Sequence, residues 1–177
     1  SMTQFFNPFF IILFGSIFSV MWVKLSKIGK NPSIPLKFCF GIVQLALGFL
    51  LTQLGFQFVN EAYQVPILTL VFLYMLHTTG ELFLSPIGLS MVTKLSPKSM
   101  AGTAMGAWFL SFAIANYVGG KIASLTGGHG GGEATSAEEG LLQYLDTFAT
   151  IGYVLLAIAA LIFVLNKPIQ KLMHGVE

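Results

Sequence analysis

Apolar residues in this chain gather into five long stretches, separated by short segments that hold nearly all of the charge. The first stretch runs from about Phe5 to Val23 and is broken near its start by Asn7-Pro8. A basic linker, Lys24 to Lys37, follows; Gly29, Pro32 and Pro35 punctuate it as a loop. The second stretch covers about Phe38 to Phe58. Its Gly41, Gly48 and Gly55 recur every seven residues, which puts them near one helical face where a neighbouring helix can come close. The third, about Pro66 to Val92, is interrupted by Gly80, Pro86 and Gly88. The fourth, about Ala101 to Ile122, carries Gly102 and Gly106 in small-xxx-small spacing. A glycine-rich loop, Gly127 to Gly140, precedes the fifth, about Phe148 to Leu165.

Runs of 18 or more uncharged residues are long enough to cross ~30 Å of hydrocarbon. The pattern therefore predicts an all-α integral membrane protein with about five transmembrane helices. Composition agrees. Hydrophobic residues make up 55% of the chain and charged residues only 9%, with a mean hydropathy of +0.80. Soluble domains carry about 25% charge, so a soluble fold is excluded.

Charge then gives the helices a direction. The linkers after the first and third stretches, with the C-terminal tail, hold Lys24, Lys27, Lys30, Lys37, Lys94, Lys98, Lys167 and Lys171. The opposite linkers hold Lys121 with Glu61, Glu133, Glu138, Glu139 and Asp146. Cytoplasmic loops collect basic residues, so the N-terminus of this chain is expected outside the plasma (inner) membrane and the C-terminus in the cytoplasm. A first span so close to an external N-terminus fits a segment of a longer protein. All nine basic residues are lysines. Without arginine, the bidentate contacts that usually read nucleic acid are missing, and no nucleic-acid partner is expected.

One acidic side chain lies deep in a span: Glu81, within His77-Thr-Thr-Gly-Glu81-Leu-Phe-Leu-Ser85-Pro86. A carboxylate in lipid costs at least ~2.5 kcal/mol, so it must face a cavity, pair, or carry a proton. His77, Glu81 and Ser85, spaced i, i+4, i+8, fall on one helical stripe. Pro86, with Gly80 and Gly88 nearby, can free backbone carbonyls, as in transporter helices that line a site. Glu81 thus reads as a cation or proton site, against the alternative of a structural carboxylate bonded to a neighbouring helix. His77 reads as a proton relay or as a simple interhelical donor. Trp108 sits inside the fourth span, away from the interfacial belt, as a pocket wall or as packing. Asn116 shares its face and suits an interhelical hydrogen bond. Trp22 reads as a belt residue, Asn7 as a pocket residue or cap, and Cys39 as a small buried hydrophobe. The Gly127–Gly132 run lacks the Gly-Lys-Ser/Thr ending of a phosphate loop, which leaves a linker. His129 alone makes no metal site. No zinc motif, nucleophile set or dinucleotide fingerprint occurs, so neither a cofactor nor an enzymatic activity is implied.

The stretch Gly80-Glu-Leu-Phe-Leu-Ser-Pro-Ile-Gly-Leu-Ser-Met-Val-Thr-Lys-Leu-Ser-Pro97, continued by Lys98-Ser-Met-Ala-Gly-Thr-Ala-Met-Gly-Ala-Trp-Phe-Leu110, resembles the proton-dependent oligopeptide transporters of the major facilitator superfamily. Asn7 to Phe14 and Asn31 to Phe38 fit the same family. The resemblance implies that residues 1–177 form a partial C-terminal bundle resembling helices eight to twelve. It also implies a proton-coupled symporter for di- and tripeptides. By the same resemblance Glu81 contacts the peptide amino terminus and Ser85 belongs to the same motif. Trp108 walls the pocket, and Asn7 contacts the peptide. Its first-helix Glu-x-x-Glu-Arg motif is absent, and the N-terminal helices would have to come from the rest of the transporter. The partners expected are therefore peptides, protons, the bilayer and those helices. A symporter for another small solute, with His77 and Glu81 as proton relay, and a membrane assembly subunit are the alternatives.

Overall fold

The computed structural model describes residues 2–61, 64–126 and 136–173. They form five long helices: α1 (Met2–Lys27), α2 (Ile34–Phe56), α3 (Ile67–Leu95), α4 (Ala101–Thr126) and α5 (Ala137–Leu172). A single 3-10 turn, Lys98–Met100, leads into α4. Four of the five, α1, α2, α3 and α5, are long and apolar enough to cross a membrane. The fifth, α4, matches α1 at 26 residues, or ~39 Å, but glycine, serine, Asn116 and Lys121 dilute its hydropathy.

The ends of the helices follow local chemistry. Gly29 stands at φ 66°, and its N–H bonds to the Ser26 carbonyl while the Lys30 N–H bonds to that of Leu25. This paired closure needs a left-handed residue, which glycine supplies cheaply, and it stops α1. Pro35 opens α2, where its missing N–H has no helical partner to lose. Ser136 caps α5: its hydroxyl accepts from the Glu139 N–H, and Glu138 and Glu139 meet the positive end of the helix dipole. The apolar middle of α5 is the expected fifth span; polar turns extend it at both ends.

Two expected interruptions do not occur. Pro8 lies within α1, and α3 continues through Gly80, Pro86 and Gly88. In hydrocarbon, breaking a helix strands several backbone groups without water, whereas one proline removes a single hydrogen bond. The helix survives the smaller loss.

The bundle is built around α2, which packs between α3 and α5, while α1 leans on α3 and α4 touches α3 and α5 lightly. The glycine row of α2 faces α3 as its spacing predicts. A Cβ on Gly80 would stand 2.8 Å from the Gly41 carbonyl oxygen, so backbone lies directly on backbone there. Gly48 is filled by the His77 ring and Gly55 by Thr69. The α2–α5 seam is tied along its length. Gln53 Nε2 donates to the Leu145 carbonyl (2.6 Å), Cys39 Sγ to that of Ala159 (3.3 Å), and Ser33 Oγ to Asn166 Oδ1 (2.9 Å). Gly102 and Gly106, by contrast, meet no other helix among the described residues.

The α1–α3 contact is aromatic. Phe6 meets Tyr74, and the Phe83 ring receives Phe18 and Trp22 edge-on at 5.0 and 5.1 Å. Trp22, at the lysine-bearing end of α1, thus packs on α3, which offers it a ring to close on.

Candidate substrate site on the third helix

The polar face of α3 is made by Tyr74, Thr78, Glu81, Ser85 and Gly88, spaced i, i+4, i+7, i+11 and i+14. That spacing holds the side chains on one side of a helix. Thr78, only 2% exposed, donates its hydroxyl to Asn7 Oδ1 on α1 at 3.3 Å. This bond brings Asn7 to the α3 face, one turn from Glu81. Thr78 was not singled out from the sequence, although a polar residue three before the carboxylate was the available signal.

Glu81 itself is exposed, and its carboxylate makes no hydrogen bond or ion pair among the described residues. Of the three options open to an intramembrane carboxylate, pairing does not occur among the described residues. Ser85, half-buried, lies one turn further, immediately before Pro86. Beyond it, Gly88 clears the space taken by the Trp108 ring of α4, with Phe38 of α2 on the same spot. Trp108 is half-buried and meets Phe112 edge-on at 5.8 Å. Asn116, expected to bond between helices, is exposed and among the described residues donates to the Phe112 carbonyl of its own helix at 2.8 Å.

His77 parts from the expected stripe. Its ring turns into α2, over Gly48 and 4.5 Å from Phe49, with the Leu45 backbone nearby. Among the described residues its buried Nε2 has no partner. A 40° offset per four residues is enough to carry His77 to the α2 interface while Glu81 stays on the open side. Among the described residues no three His, Cys, Asp or Glu side chains gather as a metal site. Residues 127–135 of the expected glycine-rich loop, His129 included, lie outside the described residues; its last residues, Ser136 to Gly140, instead cap and begin α5.

The arrangement is a polar face on α3. It holds an exposed carboxylate able to attract a cation, with an amide–hydroxyl pair and an indole on the same side of the helix. A profile of the POT family matches residues 1–134. The chain belongs to the POT family. The resemblance read from residues 80–110 therefore holds, and four helices of this POT chain are long and apolar enough to cross a membrane.

Among its relatives, the dipeptide and tripeptide permease A of Edwardsiella piscicida is 34% identical over 96% of this chain and 34% of its own length. The uncharacterized transporter YclF of Bacillus subtilis (strain 168) is 34% identical over 96% of this chain and 31% of its own length. The crystal structure of a peptide transporter POT in complex with sulfate superposes with a TM-score of 0.78 at 32% identity, covering 96% of this chain and 31% of that one. This POT chain spans about a third of the length of the relatives it matches.

Proposed function

We propose that this chain is a C-terminal part of a proton-coupled symporter for di- and tripeptides, and that its α3 face binds the peptide amino terminus. The observation that carries the reading is the unpaired Glu81 carboxylate on the open side of α3. A free ammonium is the complementary charge, and their attraction strengthens as water is excluded. Asn7, tied to Thr78, and Ser85 would supply hydrogen bonds beside it. Trp108 would add an apolar wall and a cation–π face. Relatives named as dipeptide and tripeptide permeases support peptides as cargo. The remaining helices of the same transporter would close the site opposite Glu81. The lysine-bearing end of the bundle would lie in the cytoplasm, by the positive-inside rule.

The test is uptake by the complete transporter in proteoliposomes. An inward proton gradient is expected to drive accumulation of labelled dialanine, competed by other di- and tripeptides but not by free alanine. Uptake that ignores the gradient or the competing peptides refutes the reading.

A second reading concerns the proton. The unpartnered, buried Nε2 of His77 supports a proton-accepting role one helical turn from Glu81. The α2 residues that face it, Leu45, Gly48 and Phe49, carry no titratable group. His77→Gln is expected to flatten the dependence of uptake rate on external pH while leaving peptide KM within about 2-fold. An unchanged pH profile assigns His77 to packing alone. The same relay would serve a symporter of another small solute, which the dialanine competition separates.

A further inference from the structure

Lys37 is a lysine where lysine is disfavoured. It sits in the first turn of α2, whose N-terminal end carries the positive pole of the helix dipole, and it is only 7% exposed. Burial of an ammonium costs free energy unless strong partners replace water. Its Nζ lies over the Trp22 ring of α1, 4.8 Å from the centroid. That ring stands edge-on against Phe83 of α3, and Phe83 in turn meets Phe18 of α1. Cation, indole and phenyl rings so form one continuous stack through three helices.

The stack matters because of what surrounds it. The backbones of α1 and α2 do not approach each other among the described residues. The Lys37 side chain spans that gap and reaches Trp22. Trp22 also lines a cleft between α1 and α3 of about 350 Å³, with Ser19, Leu82 and Pro86. Pro86 follows Ser85 directly, so the position of the α1 end bears on the α3 face that carries Glu81.

We infer that Lys37 is a positioning residue: its ammonium holds Trp22 against Phe83 and thereby fixes the lysine-bearing end of α1 on α3. A desolvated cation–π contact of this kind is among the stronger ones. In a protein that moves bundles of helices against each other, α1 and α3 then travel as one unit and keep Asn7 and Glu81 in register through the cycle. The part concerning turnover rests on the peptide-transport reading; the tie itself does not.

The experiment uses the complete transporter, purified in detergent and reconstituted. Lys37→Met keeps the apolar stem and loses the cation. It is expected to lower Tm by about 3 °C and turnover about 10-fold, with KM changed less than about 2-fold. Lys37→Arg, which also stacks on indole, is expected to restore both. Trp22→Leu should match the Lys37→Met losses, and the double variant should add little to either one. Additive losses, or a Lys37→Met protein with the Tm and turnover of the parent, overturn the proposal. If Lys37→Met does not accumulate, Lys37→Arg and Lys37→Gln decide: parent-like Arg with a failing Gln supports the tie, and any other outcome overturns it. The Tm cycle needs no substrate. Non-additive Tm values with no peptide uptake by the parent protein would refute the cargo and leave the tie standing; additive Tm values with normal uptake would do the reverse.

Discussion

Replacing Glu81 by Gln in the complete transporter is expected to lower the efficiency of dipeptide uptake about 100-fold, or about 2.7 kcal/mol. Gln preserves the size of the side chain and most of its hydrogen bonding, so the loss isolates the charge. The magnitude follows from the setting of Glu81, whose carboxylate has no partner among the described residues that could satisfy it in place of the ligand. An ammonium bound there meets a whole charge in a medium of low dielectric, and removing one member of such a pair typically costs 2–5 kcal/mol. The exposed position of Glu81 also means that the variant should fold, since no described contact depends on it. Initial rates over a range of dialanine concentrations check this, with detection of the protein in membranes as control. Uptake kinetics equal to those of the parent would remove Glu81 from the binding site.

The second large effect is structural. Gly80→Leu is expected to abolish the folded transporter or to cost it roughly 3 kcal/mol. A Cβ at this position would sit 2.8 Å from the Gly41 carbonyl oxygen, and the next neighbours are the Leu45 side-chain carbons at 3.2 and 3.3 Å. Backbone cannot swing aside as a side chain can, so α3 must move off α2 along its length. Since α2 is the helix on which both α3 and α5 pack, the damage spreads through the bundle. Size-exclusion chromatography in detergent should show loss of the monodisperse peak, and thermal unfolding should report the residual stability. Gly80→Leu protein with the parent's elution and Tm would contradict the close α2–α3 approach.

The helices were legible because apolar runs as long as a bilayer is thick leave few other structures available. The heptad-spaced glycines of α2 were legible for a related reason: small residues on one face imply a close neighbour, and α3 is that neighbour. The expected breaks at Pro8 and Pro86 misread the solvent. Signals that end a helix in water do not do so where no water replaces the lost bond. Caps such as Gly29 and Ser136 act through geometry outside the apolar run, which is why the observed helices overrun the expected spans.

At the site, the carboxylate of Glu81 was visible as a lone acid in a span, but its company was not. Whether Thr78 or His77 shares its surroundings depends on how α3 is rotated between α1 and α2, and spacing along one helix does not set that rotation. The Asn7–Thr78 bond and the Gly48 cavity filled by His77 emerge only when three helices are placed together. Lys37 was counted among the loop charges for the same reason. Its ammonium lies over an indole fifteen residues back along the chain, on a helix whose backbone α2 does not approach among the described residues.

If Glu81 receives the peptide amino terminus, the discrimination between a free and a blocked amine must reside in that one side chain. The direct measurement is competition of labelled dialanine uptake by unlabelled dialanine and by N-acetyl-dialanine, in the complete transporter and its Glu81→Gln variant. The parent is expected to prefer the free amine by about 100-fold and the variant by less than about 10-fold. A variant that still transports and keeps the parent's full preference would contradict the assignment of Glu81 to the peptide ammonium.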